Sequence, residues 1–371
     1  MKRYVSLDVL RGLTVAMMIV VNNPGSWSKM YPMLRHASWD GCTPCDLVFP
    51  FFLFCVGVSM AFALARYADL NKEALSKIFK RGVLLYLVGL LLTAFPFYPA
   101  ETDPSLSFWQ NWLEWLGALR LIGVLPRIAM CYVLAAVLAL WLQSLKKIAC
   151  AVGVLSLMHI SVLLLFGGPE GALTLEGNFA SKVDIAVFGV NHIYHGYGIP
   201  FDPEGILGVL TGACTVLIGY MIGCSIRMQP SGESHEKAVV SARTFVISAG
   251  LLLGGLALSI VIPLNKPLWS VSYVLYTAGW ASFVLALLIY LIDHKGWEKP
   301  FFPFKALGMN ALALFVLSGL LMKVIWRYTD WDYTTVFGST EFLSLIFALL
   351  YMLLHLAIAV IMYRRKIFIK L

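Results

Sequence analysis

A chain of 371 residues that is 60% hydrophobic and only 13% charged does not suit an ordinary soluble domain, where about a quarter of residues are charged. Its mean hydropathy of +0.81 points to many membrane spans, and no soluble domain of useful size fits between the apolar runs. The formal net charge of +8 is therefore read as topology, with the lipid bilayer and not nucleic acid as the expected partner.

Met1-Lys2-Arg3-Tyr4 is a basic leader to the first run. That run contains Asp8 and Arg11 and ends at Asn22-Asn23-Pro24 without a small-residue cleavage pattern, so an uncleaved first helix is expected. Ten runs are long enough to span: 6–23, 47–65, 80–98, 119–142, 148–167, 206–226, 242–262, 270–292, 306–326 and 342–363. The expected fold is an all-α polytopic membrane protein of about ten helices, a single transmembrane domain over 1–371. Pro50 and Pro126 are expected to kink the second and fourth helices.

Basic residues alternate with the connections. Lys2 and Arg3, then Arg66 to Arg81, Lys146 and Lys147, Arg227 to Arg243, Lys295 to Lys305, and Arg364 to Lys370 fill every second one. By the positive-inside rule, both termini and these connections lie in the cytoplasm. The loop between the first two helices then faces outward, as do the long connections 96–118 and 168–205. Loops of that length commonly carry function, and the Gly- and Tyr-bearing 168–205 stretch is expected to form an ordered lid.

The polar residues concentrate in few places. Asp8 and Arg11 share a face at the start of the first helix; they are read either as a structural ion pair or as a site where Arg11 meets an anionic ligand. Arg120 and Arg127, seven apart, are expected on one face of the fourth helix, with Arg127 lining a cavity or ion-paired. The outer loop holds His36-Ala37-Ser38-Trp39-Asp40-Gly41 and then Asp46. His36 is the best general base or nucleophile available, because imidazole titrates near neutrality. Asn22 and Asn23 can cap the first helix or polarise a carbonyl. Cys42-Thr43-Pro44-Cys45 follows no strand and has no second dithiol, so no redox function is built on it, while the residues alone leave a disulfide between the two cysteines open. His36, Asp40 and Asp46, or His192 and His195, give no complete metal-ligand set, and no metal is expected.

Ser6-Leu7-Asp8-Val9-Leu10-Arg11-Gly12, Val21-Asn22, His36 to Gly41 and Asp46-Leu47-Val48-Phe49-Pro50 together resemble heparan-α-glucosaminide N-acetyltransferase and its bacterial relatives. Gly123 to Ala129, Phe201-Asp202-Pro203-Glu204-Gly205 and Gly308-Met309-Asn310-Ala311 extend the resemblance in order along nearly the whole chain. The opening motif also resembles the wider superfamily of integral-membrane acyltransferases. The resemblance implies transfer of acetyl from cytoplasmic acetyl-CoA to the amino group of a glucosamine-type sugar across a bacterial inner membrane. It implies His36 and Asn22 as the catalytic pair, and it is compatible with a homodimer. Asp8, Arg11, Trp39, Asp40, Asp46, Arg120, Arg127, Asp202, Glu204 and Asn310 are the residues expected to bind substrate or CoA.

Asp40 stands where the family often has Asn, which would add negative charge beside His36. The extra lumenal N-terminal domain of the animal enzyme is not expected here. His36 can act as a nucleophile through an acetyl-imidazole or as a general base in a ternary complex, and the residues alone leave both open. An O-acyltransferase acting on an envelope glycan and a small-molecule transporter are the competing readings. The missing internal repeat and the single polar outer loop stand against transport.

Overall fold

The computed structural model describes residues 4–99, 101–228, 234–329 and 331–369. Lys2, Arg3 and Lys370, used in the charge reading, lie outside the described residues. The helices in order are α1 (Val5–Asn22), α2 (Val48–Ala63), α3 (Lys72–Ala94), α4 (Phe108–Gly117), α5 (Val124–Leu142), α6 (Leu145–Phe166) and α7 (Phe179–Phe188). There follow α8 (Gly208–Arg227), α9 (Ser234–Ser259), α10 (Val271–Leu288), α11 (Phe302–Met309), α12 (Ala311–Tyr328), α13 (Tyr333–Phe337) and α14 (Glu341–Arg364). Among the described residues the only β pairing is an isolated bridge between Asp40 and Asn265. The fold is all-helical.

Nine helical stretches among the described residues are long and apolar enough to cross a membrane. The expected run at 80–98 falls in α3 only up to Ala94; that helix begins at Lys72, carries Lys77, Lys80 and Arg81 in its first half, and is not among the nine. The expected run at 306–326 is broken: Asn310 ends α11 and opens α12.

The fourth helix begins later than expected, and this moves Arg120. Proline lacks an N–H and is harmless only in a first turn, whose N–H groups have no helical partner anyway. Pro126 is the third residue of α5, so the helix starts at Val124 and Arg120 lies in the non-helical segment before it. Pro50 is likewise the third residue of α2. The expected kinks are first turns.

Small residues let backbones touch where two of the motifs meet. A side chain at Gly12 of α1 would run into the Phe304 carbonyl, and one at Gly308 of α11 into that of Asp8. The loop after α1, the 168–205 connection and the turn before α10 gather at one end of the bundle. Trp39 Nε1 donates to Leu173 O at 2.9 Å, and Gly41 N to Leu264 O at 2.7 Å. At the other end Asp293 accepts from the first N–H groups of α1, Val5 N at 3.0 Å and Ser6 N at 3.3 Å.

Candidate active site

Asp46 organises the loop between α1 and α2. It is the third residue of the turn Pro44–Leu47, which Thr43 opens with a reciprocal capping box. One carboxylate oxygen, Oδ2, accepts from Thr43 N (3.0 Å), Thr43 Oγ1 (3.1 Å) and Ala37 N (3.0 Å). The other, Oδ1, lies 2.7 Å from His36 Nδ1. Tyr273 of α10 donates to the Asp46 carbonyl at 2.6 Å, which fixes the residue from below. A carboxylate can only accept, so Nδ1 carries the proton and the reactive lone pair falls on Nε2. The Asp46 side chain is 1% exposed and that of His36 is 51% exposed, so the ring is anchored on its buried side and open on the other.

Asp40 Oδ1 accepts from Asn265 Nδ2 at 3.0 Å, in the turn before α10, and the carboxylate in contact with His36 is that of Asp46. Cys42 and Cys45 are both free thiols. Cys45 Sγ lies 3.3 Å from His36 Nδ1, a contact the motif alone did not suggest. Burial pushes the Cys42 thiol up to about 12, which keeps it protonated and inert at neutral pH.

Sequence reasoning missed Lys266. Its ammonium lies 2.9 Å from Nδ1 and 3.2 Å from Nε2 of His36, and 3.5 Å from Asp46 Oδ1. The signal was present: Lys266 is the one charged residue between Ile260 and Ser270, in a connection the charge pattern marks as poor in cations.

Trp39 ties the loop to the lid. Besides its bond to Leu173 O, its ring meets Tyr197 and Phe201 edge-on at 6.0 and 5.4 Å. Arg120 bonds bidentately to Asp202, Nε to Oδ2 at 2.8 Å and Nη2 to Oδ1 at 2.5 Å, and Nη2 also reaches Glu204 Oε2 at 2.5 Å. Through these acids, expected to bind ligand, the end of the 168–205 connection is joined to the segment before α5. His192 supports the same segment through Leu119 O at 2.7 Å. Arg127 is fully buried and donates to the carbonyls of Pro203 and Gly208, with its guanidinium 4.4 Å from the Trp269 ring centroid. It neither lines the cavity described below nor forms an ion pair among the described residues. Asn310 binds the C-terminal segment, donating to Ile367 O at 3.0 Å and accepting from Ile369 N at 2.9 Å.

Asn22 ends α1 and lines a different opening, a cleft of about 650 Å³ with Trp27, Lys323, Trp326, Trp331 and Tyr333. No described contact joins it to His36. Asn23 makes the cap, donating to Ile19 O at 2.8 Å. At the other end of α1 a cavity of about 350 Å³ is lined by Asp8, Arg11, Arg81, Tyr132 and Ile369. Arg11 pairs with Asp8 at 2.7 Å while remaining 31% exposed, and Arg81 lies over Tyr132 at 5.1 Å. Both alternatives read for Arg11 are thus served by one geometry.

A multi-span helical protein with a histidine–carboxylate pair at one end and an arginine-lined cavity at the other is the class these features define. Residues 3–174 match the family described as heparan-alpha-glucosaminide N-acetyltransferase, catalytic. The chain is 26% identical to the mouse (Mus musculus) heparan-alpha-glucosaminide N-acetyltransferase over 98% of its own length. It is 28% identical to the human (Homo sapiens) protein of the same name over 99%. It is thus a relative of these proteins, as the motifs indicated, and it spans about three fifths of their length (60% and 59%). His36, Asp46 and Asn22 fall within the family match; Lys266, Asp202 and Asn310 lie beyond it.

Proposed function

We propose that this protein is a membrane acetyltransferase that takes acetyl from acetyl-CoA and delivers it to the amino group of a glucosamine-type sugar. The observation that carries the reading is the 2.7 Å contact of His36 Nδ1 with Asp46 Oδ1. It sets the tautomer that leaves Nε2 basic and nucleophilic, which acyl transfer requires of either a covalent carrier or a general base.

The donor's phosphates suit the cavity at the start of α1, where Arg11 and Arg81 offer guanidinium groups. The eleven helical rises from Arg11 to Asn22 cover about 16 Å of helix axis, so a long flexible thiol arm is needed to carry the acetyl group toward His36. On this proposal the cavity faces the cytoplasm, where acetyl-CoA is made, and His36 faces outward across a bacterial inner membrane; the alternation of basic residues along the sequence supports that orientation. The acceptor sugar has the open outer cleft beside Asn22, whose tryptophan and tyrosine faces suit a pyranose ring.

Purified protein is tested for acetyl-CoA-dependent acetylation of glucosamine, wild type beside His36→Ala. Transfer is expected from the wild type and lost in the variant. Undiminished transfer by His36→Ala removes His36 from the reaction, and sugar flux in vesicles without any acetylation replaces the enzyme with a transporter.

A further inference from the structure

We propose that Lys266 is a catalytic residue whose ammonium receives the negative charge developing on the thioester carbonyl oxygen. The inference rests on the acyl-transfer reading of His36. A point 2.9 and 3.2 Å from the two ring nitrogens cannot lie in the imidazole plane without overlapping the carbon between them. The ammonium therefore sits against the ring face and leaves the in-plane lone pair of Nε2 clear. An acyl carbon approaching along that lone pair carries its oxygen within reach of the lysine.

The surrounding turn is built to hold the lysine there. Asn265 Nδ2 donates to Trp39 O (3.2 Å) and to Asp40 Oδ1, while its Oδ1 accepts from Leu268 N at 2.7 Å. Asn265 N donates to Ser270 Oγ at 3.0 Å. Trp269 adopts a left-handed φ of +54°, uncommon for a bulky side chain, and is fixed between the Arg127 guanidinium and the Phe49 ring. A lone lysine in an outer connection ordinarily extends into water. This side chain turns inward and is only 15% exposed, with Asp46 as its counter-charge.

In the covalent route the Nε2 lone pair forms the bond to the acyl carbon and the carbonyl π pair moves to oxygen, where the ammonium donates to it. The carbonyl then re-forms, the C–S bond breaks and its electron pair leaves on the CoA sulfur, while the Nδ1 proton stays toward Asp46. The neutral sugar amine then attacks the acetyl-imidazole, and the C–Nε2 bond breaks with its pair returning to Nε2, which takes the proton the amine loses. In the general-base route the amine attacks the thioester itself and Nε2 takes its proton; the C–S bond then breaks as the carbonyl re-forms, and its pair leaves on the CoA sulfur. The oxyanion arises on the same oxygen in both routes, and Lys266 acts identically.

The test compares wild type, Lys266→Met and Lys266→Arg, each checked for an unchanged elution profile and thermal midpoint. With acetyl-CoA and glucosamine, Lys266→Met is expected to lower kcat by about 10²- to 10³-fold with the acetyl-CoA KM little changed. Lys266→Arg, which keeps a cationic donor, should recover part of it. The same variants are treated with diethyl pyrocarbonate, and the rate of His36 carbethoxylation is followed by peptide mass spectrometry. That reaction also passes through a tetrahedral oxyanion on the carbonyl that His36 attacks, so Lys266→Met should slow it. Carbethoxylation at the wild-type rate or faster, or an unchanged kcat, overturns the proposal. Should Lys266→Met not fold, Lys266→Gln against Lys266→Arg decides, and equal rates in the two refute it. A wild type that transfers no acetyl defeats the proposed function, whereas the carbethoxylation comparison still settles Lys266.

Discussion

His36 and Asp46 are ten residues apart and meet at 2.7 Å because a capped turn folds the chain back on itself between them. The carboxylate that orients the imidazole is also the carboxylate that ends the loop and starts α2. One residue thus couples the placement of the His36 ring to the entry of a candidate membrane helix, and loop and helix cannot be repositioned independently.

Asp46→Asn separates these two duties. The amide oxygen can still accept from Thr43 N and Ala37 N, so the cap survives with a loss of about 1 kcal/mol. The amide NH₂, if turned to Nδ1, donates where the carboxylate accepted, and the proton moves to Nε2. kcat is expected to fall by about 10²- to 10⁴-fold, as when a histidine is held in the wrong tautomer. Steady-state kinetics beside thermal unfolding check this; a variant with full kcat shows that the tautomer is set elsewhere.

Arg120 and Asp202 form a second coupled pair, with the Asp202 side chain wholly buried. Arg120→Ala leaves that charge without its main partner and is expected to cost about 3–5 kcal/mol, while the double variant Arg120→Ala, Asp202→Asn regains a large part. The measurement is the thermal midpoint of the four proteins of the cycle. Additive losses would mean that the lid is not held through this pair.

How far the sequence alone reached follows from the kind of signal each feature leaves. Run length placed nine of the ten expected runs in candidate spans among the described residues, because hydrocarbon thickness acts locally on the chain. Pro126 was visible but misjudged: its place in a first turn, not mid-helix, is what excludes Arg120 from α5. Asp46 was singled out in the loop, yet only folding distinguishes it from Asp40, since the two differ in which partner the turn brings to each. Lys266 is 230 residues from His36, and no periodicity reports a contact of that separation. The acids of Phe201 to Gly205 read as ligand groups, and their pairing with Arg120 was not visible, because an ion pair and a binding site use the same residue types. Gly205 has its own reason, since the Asp184 carboxyl fills the space a side chain there would need.

The cavity at the start of α1 predicts a split between donor affinity and chemistry. Arg81→Gln removes a guanidinium from its wall, far from His36. The KM for acetyl-CoA is expected to rise about tenfold, the effect of losing about 1.4 kcal/mol of binding, with kcat and the carbethoxylation rate of His36 unchanged. Isothermal titration with CoA gives the affinity directly. If Arg81→Gln binds CoA as the wild type does, the donor's phosphates do not rest there.

Asp184 lies in α7, outside the candidate spans, and gives the lid a pH dependence. Burial pushes its carboxyl up from 3.8 to about 7; the Asp202 charge adds to this, while the Ile206 N–H and Arg127 oppose it. Below 3.8 the group is protonated both folded and unfolded and contributes no slope. Between about 4 and 7 the folded chain keeps a proton that the unfolded chain releases, so stability falls as pH rises through this window. Above 7 the group is ionised in both states and the penalty is constant. Asp184→Asn removes the titration; its oxygen can still accept from Ile206 N, and the cost of its unpartnered amide nitrogen does not change with pH. The difference in thermal midpoint, variant minus wild type, is therefore expected to grow from pH 5 to pH 8. A difference that stays flat across that range would show that Asp184 is already ionised within the folded lid at pH 5.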